Sequence, residues 1–425
     1  MPTTLSPWWL LLAAVPILAA GEGIVRAWPA LRRFNVPVAV VGGLGFALVV
    51  LLLNVTGLAP VSWQTRVTAG WWTWCVTPDT LWAARPAKNL NVPLLVGFFT
   101  CVGLLAPVGL LRSGGKALLV LLGGATLLAF LQNALGVAVA TALGAPAVLG
   151  VVCGALTLVG GHGTALGFAS RFEEAGFPAA AAAGAAAATF GLIAGGLLAG
   201  ALAERLLARG DAPGAAPTRR DSTGPTGASV WADARRLAAF GRPAAAHLLL
   251  LLACVKAGAW VGYGLEKIGA ALPAYMGALL VGVAVRAAHD AAGGRWLRTD
   301  VVAAIAAVLL PVFLAVTLAA INLADLAALA GPMLVILTVN VAATLAFCRW
   351  VAWPLLGRDH EAGVMVAGLA GFCIGSTATA VAAMDAIVRR RGPAPRAMTL
   401  VPPTGGFLID LTNAPVIGAW LAWLR

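Results

Sequence analysis

Charge is what this chain has least of. Only 10% of its 425 residues are Asp, Glu, Lys or Arg, 61% are hydrophobic, and mean hydropathy is +0.93, a balance foreign to ordinary water-soluble domains. Its cysteines (Cys75, Cys101, Cys153, Cys254, Cys348 and Cys373) lie far apart without a CxxC or Cys/His cluster, which argues against a disulfide framework or a zinc site. HExxH, GxSxG and paired membrane carboxylates are all missing, so an intramembrane enzyme lacks its reacting groups. The net charge of +12 is spread through short loops rather than gathered on one face, which argues against nucleic acid as a partner. The apolar N-terminal stretch has no basic lead and is followed by Arg26, Arg32 and Arg33, so it reads as a retained first helix rather than a signal peptide. What remains is an all-α polytopic membrane protein.

A spanning helix needs about 20 apolar residues. That ruler predicts spans near 7–25, 36–58, 92–111, 117–142 and 178–204, and a second set near 244–265, 272–287, 301–322, 328–354 and 397–423. Between the fourth and fifth span of each set lies one more apolar segment, 147–170 and 361–388, each interrupted by glycine and hydroxyl residues. The division is an N-terminal repeat over 1–204, a linker over 205–243 rich in Pro, Gly, Ser, Thr and Arg, and a C-terminal repeat over 244–425.

Basic loops face the cytoplasm. Placing the N-terminus outside puts Arg26, Arg32, Arg33, Arg112, Lys116 and the arginines of the linker inside. Parity then requires 147–170 to enter and leave on one side, as a re-entrant hairpin. The same reasoning makes 361–388 re-entrant and puts Arg286, Arg295, Arg298, Arg358, Arg389, Arg390, Arg391 and Arg396 inside, against Arg66, Arg85, Lys88, Arg171, Lys267 and Arg425 outside. Five crossings per half make the repeats inverted, with the C-terminus also outside. The tryptophans of 61–90 (Trp63, Trp71, Trp72, Trp74, Trp82) read as an anchor at the lipid headgroups.

A helix that stops inside a bilayer exposes N–H and C=O groups that must line a cavity, an ion or a substrate. The breaks at Gly160, Gly161, His162, Gly163 and Thr164 and at Gly375, Ser376, Thr377 and Thr379 are therefore the candidate substrate site. Gln132 and Asn133 are polar residues deep in the span before the first hairpin, and Asn340 holds the matching place in the second half. His162 can titrate near neutrality or cap a half-helix. Among acidic residues Asp410 stands alone at the centre of a span, with Asn413 one turn on and Pro402-Pro403-Thr404-Gly405-Gly406 upstream to free carbonyls. Asp410, Asn413, Thr404, Pro402 and Asn340 form a hard-oxygen set suited to an alkali cation; a proton relay or a packing role for Asp410 are the alternatives. No arginine sits at a membrane centre, so an anionic substrate would rest on half-helix N-termini and a neighbouring cation. One sodium moved with one monoanion gains only about 1.4 kcal/mol per tenfold sodium gradient. A second ion adds about 2.3 kcal/mol per 100 mV, so concentrative uptake of an anion calls for more than one cation.

The stretch 31–44, the Gly160–Thr164 turn, Ala188-Thr189-Phe190-Gly191-Leu192, and Phe407-Leu408-Ile409-Asp410 with Asn413 together resemble the bacterial sodium/glutamate symporter family. The match runs through both halves and is weak in 61–90 and in the linker. The resemblance implies sodium-coupled uptake of glutamate or a related small anionic amino acid across the bacterial inner membrane, by an inverted-repeat, homodimeric carrier moving in an elevator-like way among membrane lipids. Sodium is the coupling ion, and no organic cofactor is implied. Leu369, Ala378 and Ala383 depart from the family's second hairpin, Leu105 and Pro107 from an asparagine pair, and Val38 from a glutamate. Each departure removes a polar group that could set substrate discrimination.

Overall fold

A computed structural model describes the chain apart from residues 1–2, 34–35, 58–60, 85–87, 107–108, 110–113, 209–228, 268–272, 324–325, 327–328 and 425. Pro107, Arg85, Arg112, Arg425 and most of the linker, with Arg209, Arg219 and Arg220, lie outside the described residues, as do the side chains of Arg32 and Arg33.

In chain order the main helices are α1 (Pro7–Ala27), α2 (Val38–Thr56), α3 (Val92–Leu104), α4 (Gly115–Ala142), α5 (Ala147–Val152), α6 (Ala155–Leu158), α7 (Gly161–Glu174), α8 (Ala180–Leu207) and α9 (Val230–Ala239). The second half supplies α10 (Arg242–Lys267), α11 (Ala274–Ala291), α12 (Thr299–Ala319), α13 (Ala330–Phe347), α14 (His360–Ile374), α15 (Thr377–Arg391), α16 (Pro395–Pro403) and α17 (Ile409–Trp423). Seven of the described helical segments are long and apolar enough to cross a membrane, and the protein is an integral membrane protein of mainly helical structure. Small strands add to the helices: Thr3–Leu5 pairs in parallel with Val61–Trp63, and Arg66–Val67 antiparallel with Lys88–Asn89. Part of the stretch read as a solvated linker, Val230–Ala239, is helical.

Two compact units share the chain, and each draws segments from both halves. The first contains α1–α3 and α9–α12; the second contains α4–α8 and α13–α17. Apolar burial gives little drive for helix association in lipid, so close approach rests on small residues. In the first unit a Cβ on Gly103 would sit 2.4 Å from the Leu279 carbonyl oxygen, and one on Gly277 2.2 Å from that of Gly258. In the second, Gly136 and Gly150 bring α4 and α5 equally close.

The loop before α3 is tied down within the first unit by Lys256 of α10. Its ammonium donates to the carbonyl oxygens of Trp74 (3.1 Å) and Thr77 (2.8 Å) and to the Asp79 carboxylate (2.9 Å), and sits over the Trp74 ring. That hydrogen bond holds the Asp79 carboxyl below its ordinary value. Trp71 is exposed while stacking on Trp8 at 5.1 Å, and Trp72 donates to the Leu90 carbonyl.

Candidate functional site

The second unit contains both breaks. At 15 residues each, α14 and α15 are about 22 Å long, short of the roughly 30 Å hydrocarbon layer. They fold back on one another: a Cβ on Gly371 would lie 2.5 Å from the Ala380 Cα, and at the open end His360 Nε2 donates to the Gly392 carbonyl at 3.0 Å. Charged contacts gather at that open end, where Asp359 caps α14, Glu361 accepts the backbone N–H groups of Arg396 and Ala397, and Arg391 pairs with Glu204.

Ser376 and Thr379 build the tip as a reciprocal cap. The Thr379 backbone N–H donates to Ser376 Oγ, and the Ser376 N–H donates to Thr379 Oγ1. The Thr379 hydroxyl lies 2.9 Å from the Gly371 carbonyl oxygen and 2.7 Å from that of Ser376, so its proton is engaged in the bend. Gly375 is pressed against α8, since a Cβ on Gly191 would stand 2.3 Å from the Ile374 carbonyl oxygen.

The first broken segment turns twice. At Gly160-Gly161 the chain needs glycine for two separate reasons: a Cβ on Gly160 would collide with Thr164, and Gly161 has φ +63°. His162 does not cap α7, because its ring turns to α8 instead. Thr189 donates its hydroxyl proton to the Ala185 carbonyl and must therefore accept from His162 Nε2, at 3.0 Å, which assigns the Nε2–H tautomer.

The earlier turn, Cys153-Gly154-Ala155, carries no polar side chain and was not signalled by the sequence. Three asparagines from three helices hold it. Asn340 Nδ2 donates to the Cys153 carbonyl (3.0 Å), Asn133 Oδ1 accepts the Ala155 N–H (2.9 Å), and Asn413 Nδ2 donates to the Ala155 carbonyl (3.1 Å). Gln132 reaches the other hairpin, donating to the Cys373 carbonyl (2.8 Å) and to Thr344 Oγ1 (2.9 Å). The four amides meet the backbone groups that the interruptions set free, which would otherwise cost about 1–3 kcal/mol each.

The C-terminal helix links the two breaks. The prolines at 402 and 403 remove hydrogen-bond donors, and Thr404–Leu408 widens into a π turn. That turn lies against the second hairpin: a Cβ on Gly405 would meet the Phe372 ring and one on Gly406 would lie 3.5 Å from Thr377. Thr404 is buried and gives its proton to the Leu400 carbonyl at 2.6 Å. One turn later, half-buried Asp410 stands beside the buried Thr164 hydroxyl of the first break, which has no hydrogen bond of normal geometry. The structure thus brings Asn133, Asn340 and Asn413 to the Cys153–Ala155 turn and Asp410 to Thr164 of the glycine turn, with Gln132, Thr377 and Thr404 toward the second hairpin. Leu369 and Ala383 are buried apolar packing positions, whereas Ala378 is exposed on the first turn of α15.

The sodium/glutamate symporter family model matches residues 79–393. The chain is 32% identical to the sodium/glutamate symporter of Escherichia coli K12 over 97% of its length and 96% of the relative's. It is 31% identical to that of Haemophilus influenzae over 98% and 97%. These relatives are symporters, not enzymes. A full-length likeness running through both breaks and the Asp410 helix makes this chain a member of the sodium/glutamate symporter family.

Proposed function

We propose that the protein imports glutamate, or a closely related small anionic amino acid, across the bacterial inner membrane by sodium symport. The observation that carries this reading is the half-buried carboxylate of Asp410 beside Thr164 of the first break, on a helix whose π turn lies against the second hairpin, all within one compact unit. Sodium would take the Asp410 carboxylate, the Asn413 oxygen, and oxygens of Thr404 and Pro402 where the π turn loosens the coil. The substrate's carboxylates would be drawn to the N-terminal ends of α7 and α15, at Gly161-His162-Gly163-Thr164 and Gly375-Ser376-Thr377. Asn133 Nδ2, which has no acceptor, would add a donor for an anion at the Cys153–Ala155 turn.

Inverted repeats and re-entrant hairpins are part of the same proposal, with both termini outside and the central linker cytoplasmic. Each compact unit takes segments of both halves. An amide of the first half serves a carbonyl of the second (Gln132 to Cys373), and one of the second serves the first (Asn340 to Cys153). Because the second unit holds the whole candidate site, it would be the moving body of an elevator-like carrier working as a homodimer. Competition by a panel of amino and dicarboxylic acids against sodium-driven glutamate uptake in proteoliposomes tests the specificity. Inhibition confined to small anionic amino acids supports it. Inhibition only by neutral or cationic solutes supports a second reading, a carrier for a different small solute, which the apolar Ala378 at the hairpin tip favours.

A further inference from the structure

We infer that the crossing of α4 and α13 holds a second monovalent cation on neutral oxygens, Gln132 Oε1 and Asn340 Oδ1, apart from Asp410. This inference rests on the sodium-symport reading and moves Gln132 from the substrate to the ion, and Asn340 from the Asp410 site to its own.

Both oxygens are fully buried and have no hydrogen-bond partner. Their orientation follows from their neighbours. Thr344 donates its hydroxyl proton to the Asn340 backbone carbonyl, so at Gln132 it can only accept, and the Cys373 carbonyl likewise requires the NH2 end of Gln132. The Cys153 carbonyl requires the NH2 end of Asn340 in the same way. Each amide is therefore pinned with its oxygen left without a donor, and what such a pair lacks is a positive guest. Thr344 links the two amides, and Cys373 closes the C-terminal end of α14, where the helix dipole is negative. A half-helix C-terminus with neutral oxygens is a recurrent way to hold sodium within a membrane.

Separation from Asp410 follows from the packing of α17 on α4. Thr126 and Thr412 share a hydrogen bond of 2.8 Å, which puts Thr412 level with Thr126, and Asp410 lies beside Thr164, whereas Gln132 lies about 9 Å farther along α4 and bonds Cys373 and Thr344. Two ions for each substrate also meet the energetic requirement for concentrating an anion against an inside-negative potential.

Heat unfolding of the purified full-length protein, without substrate, over a sodium series made up with choline at constant ionic strength, counts the ions. An ion bound only by the folded state raises the folded-to-unfolded ratio about tenfold per tenfold of sodium above its dissociation constant. The expected rise is about a hundredfold for the wild type and about tenfold for Asp410→Asn, Gln132→Leu and Asn340→Leu taken singly. The slope, unlike the midpoint, is insensitive to stability that a substitution removes equally in choline. A tenfold slope in the wild type, with water filling the crossing, overturns the inference, as does a hundredfold slope that survives both leucine substitutions. A wild type indifferent to sodium defeats the symport reading as well, which separates the two failures.

Discussion

The two units solve the same packing problem and differ in what they do with backbone polarity. In the first, uninterrupted helices cross at glycines, and its side-chain hydrogen bonds include long-range clasps such as Asn91 to Thr317 and Lys256 to the 74–79 loop. In the second, four amides are spent on holding interrupted helices in place, and their other ends are left unpartnered. A helix that closes its own hydrogen bonds is self-sufficient scaffold, whereas one that stops inside the bilayer needs foreign partners and creates polarity for a guest.

Substitutions can break this contrast. The largest effect is expected at Asp410: Asp410→Asn should lower sodium-driven glutamate uptake at least about a hundredfold, corresponding to about 2.7 kcal/mol. Asp79→Asn in the first unit should change it less than about twofold, since an exposed ion pair contributes little. Equal losses from the two would erase the distinction between the units. Gly191→Ala comes next, because its methyl would be driven to 2.3 Å from the Ile374 carbonyl oxygen. A cost of about 1–3 kcal/mol is expected, together with loss of uptake in the protein that still folds. Gly103→Ala in the first unit should cost a similar amount by the same clash, while its folded fraction keeps substrate binding. Thermal midpoints and glutamate binding measured on both proteins decide this.

Losing a clamp should have a smaller effect. Asn340→Ala leaves the buried Cys153 carbonyl unpaired, for about 1–3 kcal/mol, whereas Asn91→Ala, at a half-buried pair, should cost about 0.5–1.5 kcal/mol; chemical unfolding compares the two. The smallest effect concerns pH. Because Lys256 lowers the Asp79 carboxyl, the clasp contributes stability above the ordinary carboxylate range and loses it as pH falls through the lowered value. Tryptophan fluorescence of the 61–90 loop should therefore stay flat through neutrality and change only in acid, and a transition near neutrality would contradict the assignment.

Seven of the ten expected spans were legible because hydropathy reports burial in lipid directly, whereas 92–111, 272–287 and 397–423 have no counterpart among the described helices long and apolar enough to cross. The segments 7–25 and 117–142 correspond to Pro7–Ala27 and Gly115–Ala142. The breaks at Gly160 and Gly375 were legible through glycine and hydroxyl content, and the π turn at Thr404 through its prolines. The turn at Cys153-Gly154-Ala155 was not, since its polarity is backbone polarity and the asparagines that serve it are distant in the chain. Nor could sequence reveal that Thr379 spends its hydroxyl on the tip or that His162 turns to Thr189, because each choice depends on a neighbour that only folding supplies. Helix Val230–Ala239 was hidden by the solvated, charged composition around it.

The most direct test of the central claim, that Asp410 beside the first break couples sodium to substrate, is equilibrium binding of glutamate to the purified protein in sodium and in potassium chloride. The wild type should bind at least about tenfold more tightly in sodium, with that preference gone in Asp410→Asn. Equal affinity in the two salts, or a sodium preference that survives Asp410→Asn, would contradict it.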